Sequence, residues 1–478
     1  MQSSKSLAFN PYLPSWEYIP DGEPYVFDGR VYVYGSHDRF GSHAYCLNDY
    51  VCWSAPCDDL GAWRYEGVIY RKTDDPRNPD GAACLYAPDV TRGPDGRYYL
   101  YYVLDRLDIV SVAVCDTPAG KYTFHGYVHY PDGTLLGARE GDEPQFDPGV
   151  LTEGKTTYLY TGFSFPHDKS RHGAMVTVLG EDMLTVERAP EFVAPGGAYA
   201  EGSGFEGHAF FEAPSIRKVG EKYYFIYSSQ QMYELCYAVS DSPLGGFRYG
   251  GVIISNNDIG MANGKPAEKP IFYGGNNHGS IVEISGKWYI FYHRHTNGTN
   301  YSRQACAEEI FFDSEGKITQ VEMTSCGLNG GPLPGEGRYG AYIACNLFSP
   351  TDNAYTGGMG GNGLWLSAAH PILTQDGRDG DEEAGYILNM TDGCTAGFKY
   401  FELDGVRQLR VRTRGYCKGV FEIRTAWNGP VLGTVPVGHN TLWTETASDI
   451  TLPDGVHALY FTYRGTGSAA FLDFTLES

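Results

Sequence analysis

The sequence predicts an all-β protein in which a five-bladed β-propeller is followed by a β-sandwich of jelly-roll type. Five segments repeat one pattern, a short apolar strand, a polar turn with glycine and an alternating aromatic strand. Their turn glycines are Gly29, Gly96, Gly154, Gly220 and Gly286. Aromatic residues make up 14% of the chain and glycines number 62, which is typical of short strands and tight turns. No window shows a sustained helical period.

Each repeat contains about four strands. A second strand-rich piece follows each hairpin, as the similar segments 111–128 and 236–253 show. Four-stranded units at a fixed spacing are typical of propeller blades. Unrelated hairpins are the alternative, but five copies at nearly even spacing disfavour it.

The repeat ends near Glu322, and this sets the domain boundaries. We predict a catalytic propeller over residues 1–323 and, over 324–340, a Gly/Pro-rich linker, with a segment that wraps around the domains as the alternative. Alternating strands in residues 341–478 indicate the sandwich domain.

Composition and charge exclude several classes of partner. The chain has 36 basic and 58 acidic residues, a net charge of −22, which disfavours nucleic acid and anionic membranes.

Its 11 cysteines form no C-x-x-C pair, so reduced, buried thiols are expected. The first residues lack the apolar core of a secretory signal. We therefore expect a cytoplasmic protein.

Acidic residues recur at one position of the repeat. Seven or eight residues before the five turn glycines stand Asp21, Asp89, Asp147, Glu212 and His278. Innermost strands surround the central channel of a propeller, so these side chains should converge. Clustered carboxyl groups raise the pKa of at least one member, while another stays ionised, the pairing that glycoside hydrolysis needs. The structural alternative is that each acid caps a turn or pairs with arginine.

The segment from Asn10 to Glu322 resembles glycoside hydrolase family 43, a family of five-bladed propellers. The resemblance lies in the motifs YGSHD, LYAPDV, FDPGVL, FFEAPSI, NNHGSI and FYHR, which fall one or two to a blade. It implies that Asp21 is the general base, Glu212 the general acid, and Asp147 the acid that orients the proton donor and tunes its pKa. The family inverts the anomeric centre, which places base and acid roughly 6.5–9.5 Å apart.

The same resemblance implies further site residues. His278 is expected beside an axial, largely water-ligated calcium ion with a structural and electrostatic role, although a structural histidine is the alternative. Arg294 is expected to reach the sugar or the third acid, or else to form a structural ion pair. Tyr86 and Phe163 are candidates for the pocket wall, and Trp16 for its border. Asp89 is a weaker candidate, with hydrogen bonding inside its blade equally expected.

The C-terminal part resembles a family 6 carbohydrate-binding module through segments such as 420–437 and 455–465. Either it binds sugar or it buttresses the propeller and completes the rim of the pocket.

The resulting prediction is an inverting exo-glycosidase that releases terminal pentoses from hemicellulose oligosaccharides without an organic cofactor. An α-L-arabinofuranosidase acting on arabinoxylan fragments is preferred, and a β-D-xylosidase or a bifunctional enzyme is the alternative. A non-catalytic carbohydrate-binding propeller is the alternative of another class. A retaining, fructan-cleaving propeller ranks low because Asp21 lacks the N-D-P-N context.

Overall fold

The computed structural model describes residues 5–261, 275–350 and 370–478. Five antiparallel sheets form the first part. Blade one holds β1 (Glu23–Phe27), β2 (Arg30–Tyr34), β3 (Tyr50–Pro56) and β4 (Arg64–Tyr70). Blade two holds β5 (Leu85–Arg92), β6 (Tyr98–Leu104), β7 (Ser111–Cys115) and β8 (Thr123–Tyr127). Blade three holds β9 (Gly149–Glu153), β10 (Thr156–Thr161), β11 (Gly173–Leu179) and β12 (Val186–Pro195).

The fourth and fifth blades follow the same order. Blade four holds β13 (Phe210–Val219), β14 (Lys222–Ser229), β15 (Glu234–Ser240) and β16 (Arg248–Ser255). Blade five has three strands, β17 (Ile281–Ile284), β18 (Lys287–His295) and β19 (Arg303–Ile310). Helical structure in the described residues is limited to short 3₁₀ turns at Lys72–Asp74, Gly197–Tyr199, Asn256–Asp258, Gly327–Asn329 and Ala341–Ile343. The predicted all-β fold class is confirmed. None of the helical turns in these ranges is long and apolar enough to cross a bilayer.

The N-terminal segment completes the ring of blades. Tyr12 N–H donates to Ala305 O on β19 at 3.2 Å. The Asn10 amide bonds both polar groups of Ala307, accepting from its N–H at 2.9 Å and donating to its C=O at 3.0 Å. Blade five thus gains an outer partner from the start of the chain, and the inner strands close through a bridge between Gly22 and Gly279.

Hydrophobic cores fill the gaps between neighbouring blades. Tyr99, Tyr101 and Val112 of blade two pack with Leu159 and Leu179 of blade three, and all five are buried. Each fully buried side chain of this kind contributes about 1.5–3 kcal/mol. The alternating aromatic strands therefore act as the layers between blades, because one face of each strand meets the next blade.

Two six-stranded sheets form the C-terminal sandwich. One holds β20 (Leu333–Pro334), β22 (Asn346–Phe348), β25 (Thr395–Leu403), β27 (Cys417–Arg424), β28 (Gly433–Val437) and β30 (Gly455–Gly467). The other holds β21 (Gly337–Gly340), β23 (Ile372–Thr374), β24 (Tyr386–Met390), β26 (Gln408–Gly415), β29 (Asn440–Asp449) and β31 (Ala469–Glu477). Buried phenylalanines fill the space between them, among them Phe398, Phe461, Phe471 and Phe474.

The segment 324–340 differs from the predicted linker. Leu333–Pro334 pairs in parallel with β25, and Gly337–Gly340 pairs with β31, so this stretch supplies one strand to each sheet. Its Gly and Pro residues mark the turns between these short strands rather than a flexible connection.

The sandwich packs on the propeller through buried polar contacts. Lys399 of the sandwich is buried and pairs with Asp258 at 2.9 Å and Glu322 at 3.1 Å. Such a pair fixes the relative position of two surfaces because separating it would leave a buried charge.

Candidate active site

Side chains at the heads of the five inner strands meet in one pocket. The first strand of each blade is paired with the second up to a hairpin turn, and the last paired residues of β1, β5, β9 and β17 are Phe27, Arg92, Glu153 and Ile284. Six residues before each of these stand Asp21, Tyr86, Asp147 and His278. In blade four, Glu212 lies seven residues before Val219, because a register shift follows it.

The pocket has a volume of about 180 Å³, the scale of one sugar ring. Its lining consists of Asp21, Tyr45, Cys46, Tyr86, Ala87, Phe146, Asp147, Phe163, Glu212, Asn276, His278 and Arg303. The lining combines acids with aromatic rings, as recognition of a polar ring with apolar faces requires. The three predicted acids, His278, Tyr86 and Phe163 are all brought together here.

The backbone bends sharply where the acids stand. Asp21 has a φ of 59°, Asp147 a φ of 46° and Ala213, next to Glu212, a φ of 64°. This left-handed region costs a non-glycine residue about 1–2 kcal/mol. Strain of this kind persists where the surroundings enforce it, and functional sites are common examples.

Asp21 is a buried carboxylate held in its ionised form. Arg303 Nη1 donates to Asp21 Oδ1 at 3.0 Å, and His293 Nδ1 lies 3.3 Å from the same oxygen. Burial alone would raise the pKa of Asp21, but the Arg303 guanidinium, the His293 hydrogen bond and the nearby His278 together lower it well below its usual range. Asp21 is therefore an ionised base over the neutral pH range.

Glu212 and Asp147 differ from Asp21 in that their pKa values are raised. Burial, followed by the charge of Asp21, raises the pKa of Glu212 to about 7, and a hydrogen bond from Asn276 at 3.4 Å limits the rise. Burial, then Glu212 and Asp21, raises the pKa of Asp147 well above its ordinary value. The pocket thus contains one ionised carboxylate and two carboxyl groups that retain protons, an arrangement that separates base from acid.

His278 lies close to three carboxyl groups. Its Nδ1 is 3.8 Å from Asp21 Oδ1 and 3.7 Å from Asp147 Oδ2, and its Nε2 is 3.9 Å from Glu23 Oε1. Burial lowers the pKa of His278 to about 4, so its ring is neutral at pH 7 and can bind a cation.

Aromatic rings form one wall of the pocket. Tyr86 meets Phe146 edge to face at 6.0 Å and Tyr45 at 6.4 Å, and Phe163 packs against Phe146 at 5.2 Å. These contacts fix the positions of the rings, and Tyr45, Tyr86, Phe146 and Phe163 all line the cavity.

Arg294 does not reach the pocket, contrary to the predicted sugar-binding role. Its guanidinium donates to Ala344 O at 2.8 Å and Tyr342 O at 2.6 Å in the sandwich. Alternate residues of a strand face opposite ways, and His293 of β18 faces Asp21, so Arg294 faces away. Arg303 on the paired strand lies opposite His295 and provides the pocket's guanidinium.

Asp89 also lies outside the pocket. Its oxygens accept from Tyr25 OH, Val90 N and Val150 N at 2.6–2.7 Å. The reason is the hairpin turn: Gly96 lies in a five-residue turn after Arg92, whereas Gly154 directly follows its strand. Asp89, seven residues before Gly96, therefore lies three residues further into its strand than Asp147 does in blade three. Tyr86 occupies the position equivalent to Asp147.

Trp16 packs away from the cavity. Its ring meets Trp53 edge to face at 6.5 Å against the side of blade one. The cavity lining includes Tyr45 and Cys46 from the loop after β2 and does not include Trp16.

A second group of buried charged residues lies on the other side of His278 from Asp21, since Glu23 faces Nε2 of its ring and Asp21 faces Nδ1. Arg217 Nη2 donates to Glu23 Oε2 at 2.6 Å, and its guanidinium stacks on Tyr25 at 4.3 Å. Burial and the charge of Asp89 raise the pKa of Glu23 to about 8 despite this pairing. The other oxygen of Glu23, Oε1, is buried without a hydrogen-bond partner.

Another group of potential metal ligands lies outside the pocket. His208, Glu234 and Cys236 present ligand atoms within 4.8 Å of one another. Glu234 Oε1 accepts from Ser229 at 2.5 Å and lies 2.6 Å from His208 Nδ1. Hydrogen bonds account for this cluster.

Sequence reasoning missed Arg303, Tyr45, Cys46 and Asn276. Strand alternation was the available signal for Arg303, because it pairs with His295 on the face that carries His293. Tyr45 and Cys46 lie in a loop, where no periodic pattern points to them.

Comparison with known proteins agrees with this geometry. Residues 20–318 match the family described as Glycosyl hydrolases family 43. A "Xylosidase/arabinosidase" of Thermoclostridium stercorarium is 68% identical over 98% of both chains. The GH43_1 enzyme from Xanthomonas citri, solved with xylose, is 25% identical with a TM-score of 0.51, covering 66% of this chain and 93% of that one.

A third likeness extends over the sandwich. The family 43 arabinoxylan arabinofuranohydrolase from Bacillus subtilis, solved with cellotetraose, has a TM-score of 0.52 at 20% identity and covers 98% of this chain and 97% of that one. At this identity it shows the fold alone, a propeller followed by a sandwich. The predicted enzyme class, a glycoside hydrolase, is confirmed by the family match. The chain belongs to glycosyl hydrolases family 43.

Proposed function

We propose that this protein is an inverting exo-glycosidase that releases terminal pentoses from xylan-derived oligosaccharides, with α-L-arabinofuranosides as preferred substrates and β-D-xylosides as a second class. Its relative from T. stercorarium is named for both activities. An arabinofuranose and a xylopyranose are similar in size, so one pocket can accept either.

One observation carries the proposal: a single small cavity holds an ionised Asp21 and a Glu212 whose pKa is raised to about 7. Asp21 would remove a proton from water as that water attacks the anomeric carbon. Glu212 would donate its proton to the departing glycosidic oxygen. Asp147, whose Oδ2 accepts from the N–H of Ala213 next to Glu212 at 3.2 Å, would orient the proton donor.

The pocket shape supports exo action. A cavity of about 180 Å³ lined by Asp21 and Asp147 has room for one terminal residue. The aromatic wall formed by Tyr86 and Phe163 would contact the apolar face of that residue.

The alternative, a non-catalytic sugar-binding propeller, is disfavoured by the same acids. Burying three carboxyl groups together is costly, and sugar binding alone does not require it. The two functions separate on one measurement: binding without turnover would identify the non-catalytic protein.

The experiment compares hydrolysis of an aryl α-L-arabinofuranoside and an aryl β-D-xylopyranoside by wild type, Asp21→Ala and Glu212→Gln. We expect turnover of both by wild type, with the arabinoside faster, and loss of both in Asp21→Ala. A faster xyloside would keep the mechanism and reverse the preference. No turnover of either by folded protein would contradict the proposal.

We also propose a calcium ion beside His278. A neutral imidazole and the unpartnered, buried Glu23 Oε1 at 3.9 Å are a donor set that suits a hydrated cation. Calcium takes six to eight oxygen ligands, so water would supply most of them. When bound, the ion would supply positive charge beneath the acids. Metal analysis of the purified protein, and of His278→Ala, tests this directly.

A reducing compartment is proposed from the thiols. All eleven cysteines are free, and eight of them are buried. Buried reduced thiols are typical of proteins inside the cell. Fractionation of the native source tests this location.

A further inference from the structure

One loop of blade one supplies both the rim of the pocket and the support of its arginine. This loop, residues 35–49 between β2 and β3, places Tyr45 and Cys46 in the lining. Its Asp38 is fully buried and accepts from Arg303 Nε at 2.8 Å and Nη2 at 2.9 Å. Asp38 Oδ1 also accepts from Cys46 N at 3.1 Å. The loop conformation therefore decides where the guanidinium stands.

A carboxylate from the sandwich holds this loop at two points. Asp379 lies between β23 and β24, and its Oδ1 accepts from Phe40 N at 2.7 Å. Its Oδ2 accepts from Asn48 Nδ2 at 3.0 Å, and that amide also donates to Asp38 O at 3.1 Å. Phe40 and Asn48 are the two ends of the segment that contains Tyr45 and Cys46.

A buried contact beside Asp379 supports the same loop. Gln375 Oε1 of the sandwich accepts from Tyr18 OH at 2.7 Å. Tyr18 stacks on Phe40 at 5.4 Å, and its carbonyl accepts from Asp38 N at 3.0 Å. The backbone on which Asp38 stands is thus fixed from the sandwich side.

The sandwich also holds a loop of blade five that contacts Tyr45. Asn297, in the loop between β18 and β19, donates from N–H to Leu373 O at 2.6 Å and accepts from Thr374 Oγ1 at 2.9 Å. The same loop carries Tyr301, whose ring meets Tyr45 edge to face at 4.8 Å. Two loops from the neighbouring blades one and five therefore meet at Tyr45, a residue of the pocket lining, and both are anchored on residues 373–379.

We propose that Asp379 is a positioning residue of the active site, holding segment 40–48 so that Asp38 presents Arg303 to Asp21 and Tyr45 closes the rim. The sandwich domain then takes part in catalysis through its packing, whether or not it binds sugar. The expected effect of Asp379 on catalysis rests on the proposed glycosidase function. The holding of segment 40–48 by Asp379 does not depend on that function.

The first test is steady-state kinetics of Asp379→Ala and Asp379→Asn, with Glu382→Ala as the matched control. Glu382 is an exposed acid of the same connection. We expect kcat to fall about tenfold in Asp379→Ala, because Arg303 no longer holds Asp21 in line, while the melting temperature stays near that of wild type. Asp379→Asn keeps one carbonyl acceptor and should show a smaller loss. Values for Asp379→Ala within twofold of Glu382→Ala would overturn the proposal.

The second test needs no substrate. Cys46 lies within segment 40–48 and is only 2% exposed, so an aromatic disulfide reagent should modify it slowly in native wild type. We expect faster modification in Asp379→Ala, and loss of the added fast phase when Cys46→Ser is introduced. An unchanged rate of Cys46 modification would refute the proposal that Asp379 holds segment 40–48.

The two tests separate the possible failures. If wild type hydrolyses neither aryl glycoside, the proposed function fails. The rate of Cys46 modification then still tests whether Asp379 holds segment 40–48. If Asp379→Ala does not fold, Asp379→Asn carries both tests.

Discussion

Arg303 donates to Asp21 Oδ1 at 3.0 Å from the fifth blade, although the two residues stand 282 positions apart in the sequence. Its other edge is bound by Asp38, so the guanidinium is fixed from two sides. This contact, together with two histidines, keeps a fully buried carboxyl group ionised. The base of the proposed mechanism depends on it.

Arg303→Lys should move the acid limb of kcat/KM to higher pH. Lysine has a single ammonium group and cannot bond Asp21 and Asp38 together as the planar guanidinium does. The effect of burial would then dominate, and the pKa of Asp21 would rise. A base must be ionised, so activity would then be lost at a higher pH as the pH falls. We expect a shift of at least about one pH unit, with a loss of about 10–100-fold at neutral pH.

Arg294→Lys is the matched control, since Arg294 is equally buried but bonds sandwich carbonyls. Its acid limb should remain that of wild type. Equal shifts in both variants would contradict the role assigned to Arg303.

Asn276→Ala should move the basic limb to higher pH. The Asn276 amide donates to Glu212 and lowers a pKa that burial and Asp21 raise to about 7. Its removal would raise that pKa further, and a general acid works until pH exceeds its pKa. Since Glu212 and Asp147 interact, the limb belongs to the pair. A pH–rate profile that stayed in place, or moved to lower pH, would count against Glu212 as the acid.

Glu212→Gln should distinguish leaving groups. Hydrolysis of a sugar–sugar bond needs protonation of the leaving oxygen, so turnover should fall about 10²–10⁴-fold. A dinitrophenyl glycoside leaves without protonation and should lose far less. Parallel kinetics on both substrates measure this, and circular dichroism checks the fold. Equal losses on both substrates would argue for a structural role.

Asn10→Ala should destabilise the propeller. The amide satisfies Ala307 N and O and also donates to Glu308 Oε1 at 2.8 Å. Leaving such buried groups unpaired costs about 1–3 kcal/mol each. Denaturant unfolding should therefore show a loss of about 2–4 kcal/mol. Asn440→Ala, whose side chain makes one long bond to Gly438 O at 3.4 Å, is the control and should change little.

Much of the fold was predictable because its signal is periodic. The five hairpins gave the blade number, and alternation along each strand gave its buried face. The same register pointed to Asp21, Asp147, Glu212 and His278, whose side chains do converge. Asp89 does not join them, because the turn of its hairpin is longer and Gly96 stands further from the end of β5 than the other turn glycines do from their strands.

Residues outside the inner strands could not be placed in this way. Arg303 lies on the third strand of its blade, and Tyr45 and Cys46 lie in a loop whose path depends on Asp379 of the sandwich. Contacts between residues more than 300 positions apart leave no pattern in a single sequence. The strands within 324–340 were missed for a similar reason, since Leu333 pairs with Phe401 and Gly337 with Leu476, far along the sequence.

The stereochemistry of the released sugar tests the central claim most directly. Proton NMR during the first minutes of hydrolysis of an aryl α-L-arabinofuranoside identifies the anomer formed before mutarotation. If Asp21 activates water, as proposed, the β-anomer appears first and the α-anomer grows in later. Initial release of the α-anomer would mean a covalent intermediate, and would contradict the assignment of Asp21 as a general base.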